Sequence, residues 1–129
     1  MHRRMVQFRI VRKSLAQVMT DHGLASLGDA FVNSACSLAL SNREAEPLGV
    51  KVKGSVLAEA LTKAGLRKCL GSRMSRHELA DAAEALLLYG WLNGCVALDE
   101  CLRALGEATN PVDGFAVLLA TVRNRVTLP

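Results

Sequence analysis

The spacing of apolar residues is the feature that most restricts what this chain can fold into. Apolar side chains recur every three or four residues along most of the sequence, and no alternating run is long enough to require a strand. Ala and Leu dominate, whereas aromatic residues make up 4% of the chain. A chain of 129 residues, 50% of them hydrophobic, can bury one sizeable core and is too short for two ordinary domains. The sequence therefore predicts an all-α fold, a single compact domain of about six helices.

Capping residues and glycines indicate where the helices begin and end. Asp21 is expected to cap the second helix and Ser55 the third, which Gly65 is well placed to end. Ser75 and Glu78 have the spacing of a capping box that opens the fourth helix. The predicted helices cover residues 3–20, 23–41, the stretch between 55 and 65, 75–93, 98–108 and 111–125, with a loop over residues 42–54.

One side of the second predicted helix is expected to face the core. It carries Leu24, Leu27, Phe31, Ala35 and Leu38, which follow one another at steps of three and four residues. The first predicted helix differs, because basic residues occupy the face that its apolar residues leave free. We therefore expect a basic N-terminal helix that precedes the main helical core.

Basic residues are concentrated in two stretches of the chain. Residues 1–13 contain five basic side chains and no acidic one, and residues 51–76 contain seven basic side chains against the single acid Glu59. The formal net charge of +4 is modest, but clustered charge favours contact with a polyanion. On charge alone, a nucleic-acid partner and a solvated surface without a partner are equally good interpretations.

Several sequence features favour a soluble cytoplasmic protein. Charged or polar residues interrupt every apolar stretch, so we expect no membrane span, and residues 1–13 lack the apolar segment and cleavage site of a signal peptide. Cys36, Cys69, Cys95 and Cys101 form no C-x-x-C pair, and no histidine lies beside them at zinc-site spacing. We expect these thiols to be reduced and to be buried as small apolar side chains.

Three carboxylates stand where a helix would ordinarily carry apolar side chains. Asp29 lies among small and apolar residues in the second predicted helix. Asp81 and Glu84 are three residues apart in the fourth helix, so they project from the same side of it. Carboxylates that converge from separate helices are the ligands that Mg²⁺ and Mn²⁺ require. Spacing alone nevertheless favours a simpler interpretation, a partly exposed helix whose acids form salt bridges with nearby arginines.

These acidic stretches resemble two motifs of the ribonuclease III family. The family's signature helix, whose centre is a glutamate, two residues and then Gly-Asp, is similar to LASLGDAFVN at residues 24–33. The family's next helix resembles the stretch 55–66, and its second acidic motif resembles LADAAEAL at residues 79–86. The order and separation of the motifs also agree. The resemblance covers about residues 21–105 and is strongest to a short archaeal branch of the family.

The resemblance implies a set of metal ligands in which one member is missing. Asp29 corresponds to the aspartate of the first motif, and Asp81 and Glu84 correspond to the acidic pair of the second; all three bind metal in the family. Ala25 stands where the signature has its glutamate, and His22 stands at the other acidic position of that helix. The archaeal branch also lacks this glutamate. We therefore expect a catalytic site with solvent at the position that Ala25 leaves empty, and with weakened metal binding.

By the same resemblance, the chain is expected to be an endonuclease that hydrolyses double-stranded RNA with Mg²⁺, or with Mn²⁺, and without an organic cofactor. Members of the family act as homodimers with a positively charged valley between the subunits. Tyr89 and Trp91 are expected to lie either in the core or at that interface, and we favour the interface. A-form RNA is recognised mainly by its shape and 2′-hydroxyls, so we expect little sequence preference and no separate RNA-binding domain after the core. The candidates for phosphate contacts are Arg3, Arg4, Lys51, Lys53, Arg67, Lys68, Arg73 and Arg76.

Two other functions fit parts of the sequence. A non-catalytic relative would keep the fold and the basic surface, and would bind structured RNA or a ribonucleoprotein as a dimer without productive metal chemistry. A small helical DNA-binding or protein-interaction module would share the size and charge of this chain. The last alternative leaves the three acids unexplained.

Overall fold

The computed structural model describes residues 10–129, and within that range every regular element is a helix. This confirms the predicted all-α domain. The helices are Leu15–Met19 (α1), His22–Glu44 (α2), Gly54–Lys63 (α3), Arg76–Leu92 (α4), Leu98–Glu107 (α5) and Pro111–Arg125 (α6), and a 3₁₀ turn, Arg67–Cys69, lies between α3 and α4.

The fourth helix, α4, forms the centre of the domain. Between Leu79 and Gly90 every residue except Asp81 is buried. The helices α1, α2, α3 and α6 all pack against it. A helix that is apolar on all sides is stable only where its neighbours cover it, so the run of alanines and leucines in α4 requires a bundle around it.

The closest approach in the bundle is between α2 and α4. A Cβ atom added to Gly28 of α2 would lie 2.3 Å from the backbone oxygen of Glu84 in α4, which is far inside van der Waals contact. Ala25 and Val32, one turn to either side of Gly28, are also buried. The absence of a side chain at Gly28 therefore lets the two helix backbones touch, and it fixes which residues face each other across them.

Several predicted helix ends are confirmed. Asp21 accepts a hydrogen bond from a backbone N–H in the first turn of α2 at 2.9 Å, and therefore acts as its N-cap. Ser75 and Glu78 exchange the two reciprocal hydrogen bonds of a capping box at the start of α4. Gly65 and Gly94 follow α3 and α4 with φ angles of 79° and 76°, a region that favours glycine.

The N-terminal helix begins later than predicted in the part of the chain that the structure describes. Residues 10–14 are not helical, and α1 starts at Leu15. Ser14 has extended φ and ψ angles, and its Oγ accepts a hydrogen bond from the backbone N–H of Gln17 at 3.1 Å. This serine is therefore the N-cap that starts the helix. The rest of the predicted basic helix, with Arg3 and Arg4, lies outside the described residues.

The boundaries of the loop between α2 and α3 also differ from the prediction. Helix α2 continues to Glu44, and α3 begins at Gly54, so Ser55 lies inside the helix and the prediction that it caps α3 is wrong. The N-cap position is occupied by Lys53, which makes no capping hydrogen bond through its side chain.

Side chains of α2 explain where α3 begins. Asn33 accepts a hydrogen bond from the backbone N–H of Val52 at 2.7 Å. The hydroxyl of Ser37 accepts from the backbone N–H of Val50 at 2.9 Å. These bonds hold the chain along α2 up to residue 52, and the new helix starts immediately afterwards.

The buried face of α2 is not the face that was predicted. Leu24 and Ala35 are buried as expected, but Leu27 is 47% exposed, Leu38 is 46% exposed and Phe31 is half-buried. The helix instead buries the small residues Ala25, Gly28, Ala35 and Ala39 together with the larger Leu24 and Val32. Close contact with α4 requires small side chains, and the larger leucines are turned outward as a result.

By length and composition alone, α2 could cross a membrane. This is weak evidence for a span, because the core helix of a soluble protein passes the same test, and α2 packs here against α4 and α5. The cysteines are free thiols: Cys101 is buried, as expected, whereas the other three are half-buried. Burial raises the pKa of the Cys101 thiol to about 11, which keeps it protonated.

Candidate functional site

The three acids that the sequence singled out lie in one cleft. It has a volume of about 470 Å³ and is formed by the N-terminal halves of α2 and α4, the start of α3 and the segment before it. We call it the acidic cleft; its walls are His22, Ala25, Ser26, Asp29, Lys51, Val52, Gly54, Leu57, His77, Ala80, Asp81 and Glu84.

Helix packing explains why the acids meet. Gly28 rests on the backbone of α4 at Glu84, so the next residue, Asp29, is brought beside the Glu84 side chain. Asp81 lies three residues before Glu84 on the same side of α4. The Gly-Asp pair of α2 therefore has two separate tasks, since the glycine permits the close approach and the aspartate supplies a carboxylate at that point.

Glu84 has the most unusual environment of the three acids. It is 6% exposed and is the only charged residue that is buried within residues 10–129. Burial is the largest cause that raises its pKa, followed by a hydrogen bond and charge repulsion from Asp29, and then repulsion from Asp81; together they bring the pKa to about 8. A cation in the cleft would relieve the repulsion that these carboxylates exert on one another.

The other two acids are more accessible than Glu84. Asp29 is exposed and Asp81 is half-buried. Nε2 of His77 lies 3.4 Å from Oδ2 of Asp81, one turn along α4. Among residues 10–129, no three His, Cys, Asp or Glu side chains are already gathered around a single point as metal ligands would be. The donors of the acidic cleft would therefore have to rotate toward an ion that they share.

The chemistry of this donor set fits a divalent cation. Carboxylate oxygens are the preferred ligands of Mg²⁺ and Mn²⁺, and two of the three acids here have solvent access. Ala25 lines the cleft with a short side chain, so the wall beside Asp29 supplies no further carboxylate there. Asp21 does not replace one, because it caps α2 and pairs with Arg12 at 2.7 Å, and both interactions lower its pKa.

The described basic residues that were predicted to contact phosphate are not all at the acidic cleft. Lys51 lines it directly. Lys53 instead lines a separate, mostly apolar cavity of about 410 Å³, and Arg76 lines a groove beside Glu59. The guanidinium of Arg67 donates hydrogen bonds to backbone oxygens of its own loop at 3.3 and 3.5 Å. The remaining two, Lys68 and Arg73, are exposed between α3 and α4.

Sequence reasoning missed His77 as a cleft residue. The signal was present, because His77 precedes Asp81 by four residues and Glu84 by seven, which places all three on one side of α4. His22 has the same relation to Asp29 on α2, seven residues apart. In the sequence, His22 stood out only because it occupies an acidic position of the family's signature helix.

A second surface lies on the outward side of α2. Leu27, Phe31 and Leu38 fall on one side of this helix, and the ring of Phe31 stacks on that of Trp91 with centroids 5.0 Å apart. We call these four residues the apolar stripe. Trp91 is half-buried, whereas Tyr89, the other aromatic residue considered for an interface, is buried in the core.

Comparison with known protein families gave a match. The profile of the family described as Ribonuclease III matches residues 22–126, which include the acidic cleft and the whole of helices α2 to α6. The match also extends beyond the resemblance noted in the sequence, which ended at about residue 105. No curated protein matches the chain significantly.

Proposed function

This chain belongs to the ribonuclease III family, and from that premise we propose that it is a metal-dependent endonuclease that hydrolyses phosphodiester bonds of double-stranded RNA. The observation that carries the proposal is the convergence of Asp29, Asp81 and Glu84 in one cleft between α2 and α4. A glutamate whose pKa is raised by burial, and further by two neighbouring carboxylates, is typical of a functional site.

Mg²⁺ is the proposed cofactor, with Mn²⁺ as an alternative, and Asp29 and Glu84 are its proposed central ligands. Asp81 completes the set or orients a water molecule at the edge of the cleft. Bound divalent ions supply activation of the attacking water and neutralise charge on the phosphate and on the departing 3′ oxygen. Solvent takes the place of a ligand beside Ala25, and we therefore expect weaker metal binding than in a site with a full set of carboxylates.

Binding of the RNA backbone is proposed to begin at Lys51. The ammonium group of Lys51 lines the same cleft as the acids, so it can hold a phosphate next to the proposed metal ligands. Exposed cations such as Lys68 and Arg73 add contacts without sequence information. Because phosphate contacts release counterions, binding should weaken steeply as the salt concentration rises.

We also propose that the chain acts as a homodimer, joined through the apolar stripe. Apolar side chains grouped on the outside of α2 favour a partner surface there, and three of the four residues of the stripe lie on the same helix as Asp29. A two-fold axis there would make the same patch serve both subunits and would bring two acidic clefts to one duplex.

The test is cleavage of a labelled perfect RNA duplex with Mg²⁺, Mn²⁺ or EDTA. We expect metal-dependent cuts that the variant Glu84→Gln reduces by about a hundredfold or more, because the amide keeps the shape and loses the charge. The control is Glu107→Gln, which changes an exposed acid of α5 that lies away from the cleft. Equal rates for the parent and Glu84→Gln would contradict the proposal.

A non-catalytic RNA-binding dimer is the second candidate. It is favoured by one observation, the alanine at position 25 in the wall of the cleft, where the family's signature carries a glutamate. The same assay separates the two functions. Tight binding of the duplex without cleavage in either metal would support the second candidate and exclude the first.

A further inference from the structure

We infer that His22 and His77 supply nitrogen donors to a metal ion at one end of the acidic cleft, on either side of Asp81, and that this end selects Mn²⁺ over Mg²⁺. The inference rests on the proposed function, because it concerns the same cleft. It goes further by naming additional ligands and the class of ion that they favour.

The two helices that form the cleft present the same pattern to it. His22 precedes Asp29 by seven residues on α2, and His77 precedes Glu84 by seven residues on α4. Seven residues are close to two helical turns and span roughly 10 Å, so each helix carries an imidazole and a carboxylate on one side at two depths of the cleft. Asp29 and Glu84 contact each other at one depth, and each histidine borders the cleft nearer the N-terminus of its own helix.

Asp81 lies between the two ends and adjoins both Glu84 and His77. Its Oδ2 lies 3.4 Å from Nε2 of His77. Asp81 and His22 also line a smaller groove of about 140 Å³ that adjoins the acidic cleft, so the two side chains border the same space from opposite helices. Asp81 and the two imidazoles thus border this end, and none of the three is needed to hold the helices together, because α2 and α4 meet at Gly28. The other acids of the groove, Asp21 and Glu78, already cap the first turns of α2 and α4.

Both imidazoles have room to turn toward an ion. The side chain of His77 is 86% exposed, and His22 is exposed as well. Their neighbours along the cleft are Ala25 and Ala80, which fill little of the space between the helices. Rotation of exposed side chains is fast and costs little, so donors that are apart in the structure can converge when an ion binds.

The donor chemistry decides which ion this end prefers. Mg²⁺ requires near-octahedral coordination by oxygen, whereas imidazole suits first-row transition ions. Mn²⁺ is the transition ion already proposed for this cleft, and it accepts imidazole together with carboxylate and water. A mixed site of Asp81 with His22 and His77 should therefore favour it over Mg²⁺. The Asp29 and Glu84 end, which offers oxygen alone, has no such preference.

The experiment is Mn²⁺ binding to the purified full chain, followed by electron paramagnetic resonance, with pulsed detection of ¹⁴N couplings from imidazole. The variants are His22→Gln, His77→Gln, their combination and His22→Glu, and circular dichroism verifies that each one is folded. We expect ¹⁴N couplings in the parent, weaker couplings in each single variant and none in the double variant, whose Kd for Mn²⁺ should rise about tenfold while that for Mg²⁺ changes little.

The variant His22→Glu separates a ligand from a structural residue. If position 22 is a metal ligand, this variant exchanges a nitrogen donor for an oxygen donor. It should still bind the metal, and its preference should move toward Mg²⁺. Mn²⁺ bound by the parent with no ¹⁴N coupling would overturn this inference and leave the nuclease proposal intact. Failure of the parent to bind either ion would overturn both.

Discussion

The carboxyl group of Glu84 is buried and lies beside two other acids, and this environment disfavours its ionised form. Desolvation and repulsion both act against its charge, so the protonated form dominates at neutral pH in the absence of a cation. Burial is the largest of these effects, and Glu84 is buried where Gly28 of α2 contacts the α4 backbone. The contact between Gly28 and α4 therefore also places carboxyl groups side by side, where a bound cation would relieve their repulsion.

Stability without metal should fall as the pH rises through the titration range of Glu84. Its pKa is about 8 in the folded chain against 4.5 for the ordinary group, so the folded state binds the extra proton between about pH 5 and pH 8. That stabilisation is complete below this window and is lost as the pH rises through it. We expect a lower Tm in EDTA at about pH 8 than at about pH 6, by roughly 4 °C for each kcal/mol lost.

The control for this prediction is Glu84→Gln, measured in thermal unfolding at the same two pH values. Glutamine cannot ionise, so the variant should lose most of the difference in Tm between them. A parent protein whose Tm rises over this range, or a variant that keeps the full difference, would contradict the assigned environment of Glu84.

Single residues also show what could be predicted from the sequence. Asp29, Asp81 and Glu84, which the sequence singled out, line one cleft. Helical spacing predicts that Asp81 and Glu84 share a side of α4, whereas the meeting with Asp29 depends on the contact at Gly28. Their unequal exposure could not be predicted, since it depends on how deeply α2 settles on α4. His77 was missed because an exposed histidine in a first helical turn gives no apolar pattern against which it stands out.

At the scale of helices, caps and glycines predicted boundaries well, whereas periodicity alone misjudged the buried face of α2. Local hydrogen bonds fix the start of α4 at Ser75, and such bonds are readable from sequence. The buried face of α2 is instead decided by a tertiary contact at Gly28, and Leu27 and Leu38 are consequently turned toward solvent. Likewise, the start of α3 depends on the hydrogen bond that Asn33 accepts from the backbone N–H of Val52, nineteen residues later in the chain.

The substitution Gly28→Ala tests the contact between α2 and α4. Its new Cβ would meet the backbone oxygen of Glu84 at 2.3 Å, and backbone cannot move aside as a flexible side chain can. We expect a loss of about 1–3 kcal/mol in the free energy of unfolding, together with a change in the pKa of Glu84. Denaturant unfolding and pH titration measure the two effects.

The matched control is Gly106→Ala in α5. A Cβ atom there meets nothing within 4 Å, and alanine is the better helix former. The control should therefore be neutral or should stabilise the protein by about 0.5–1 kcal/mol. Equal effects of the two substitutions would show that Gly28 does not set the distance between the helices.

At the scale of the whole molecule, the domain has its acidic cleft and its apolar stripe on the same long helix. Asp29 and Leu27 are two residues apart on α2, yet one faces the cleft and the other faces outward. A dimer formed through the stripe would place its two clefts at a fixed separation. The fold class was predictable because patterning sets it, but the surface available for assembly emerged only once the buried face of α2 was known.

Charge placed on the apolar stripe should separate the proposed dimer. We expect sedimentation equilibrium to give a dimer for the parent and a folded monomer for the combined variant Leu27→Glu and Leu38→Glu. The control is Val117→Glu, which alters an apolar residue that is 57% exposed on α6, away from the stripe. A parent that stays monomeric at the concentrations used for cleavage, or a dimer that survives both glutamates, would contradict this interface.

The proposal that this chain is a Glu84-dependent RNA endonuclease is tested by the initial rate at which it cuts an RNA duplex in saturating Mn²⁺. This rate is compared with that of Glu84→Gln and with the rate on a DNA duplex of the same sequence. We expect cleavage of the RNA duplex by the parent, little cleavage of the DNA, and a loss of about a hundredfold or more in the variant. Cleavage that does not depend on Glu84, or none by a folded parent that still binds the duplex, would contradict it.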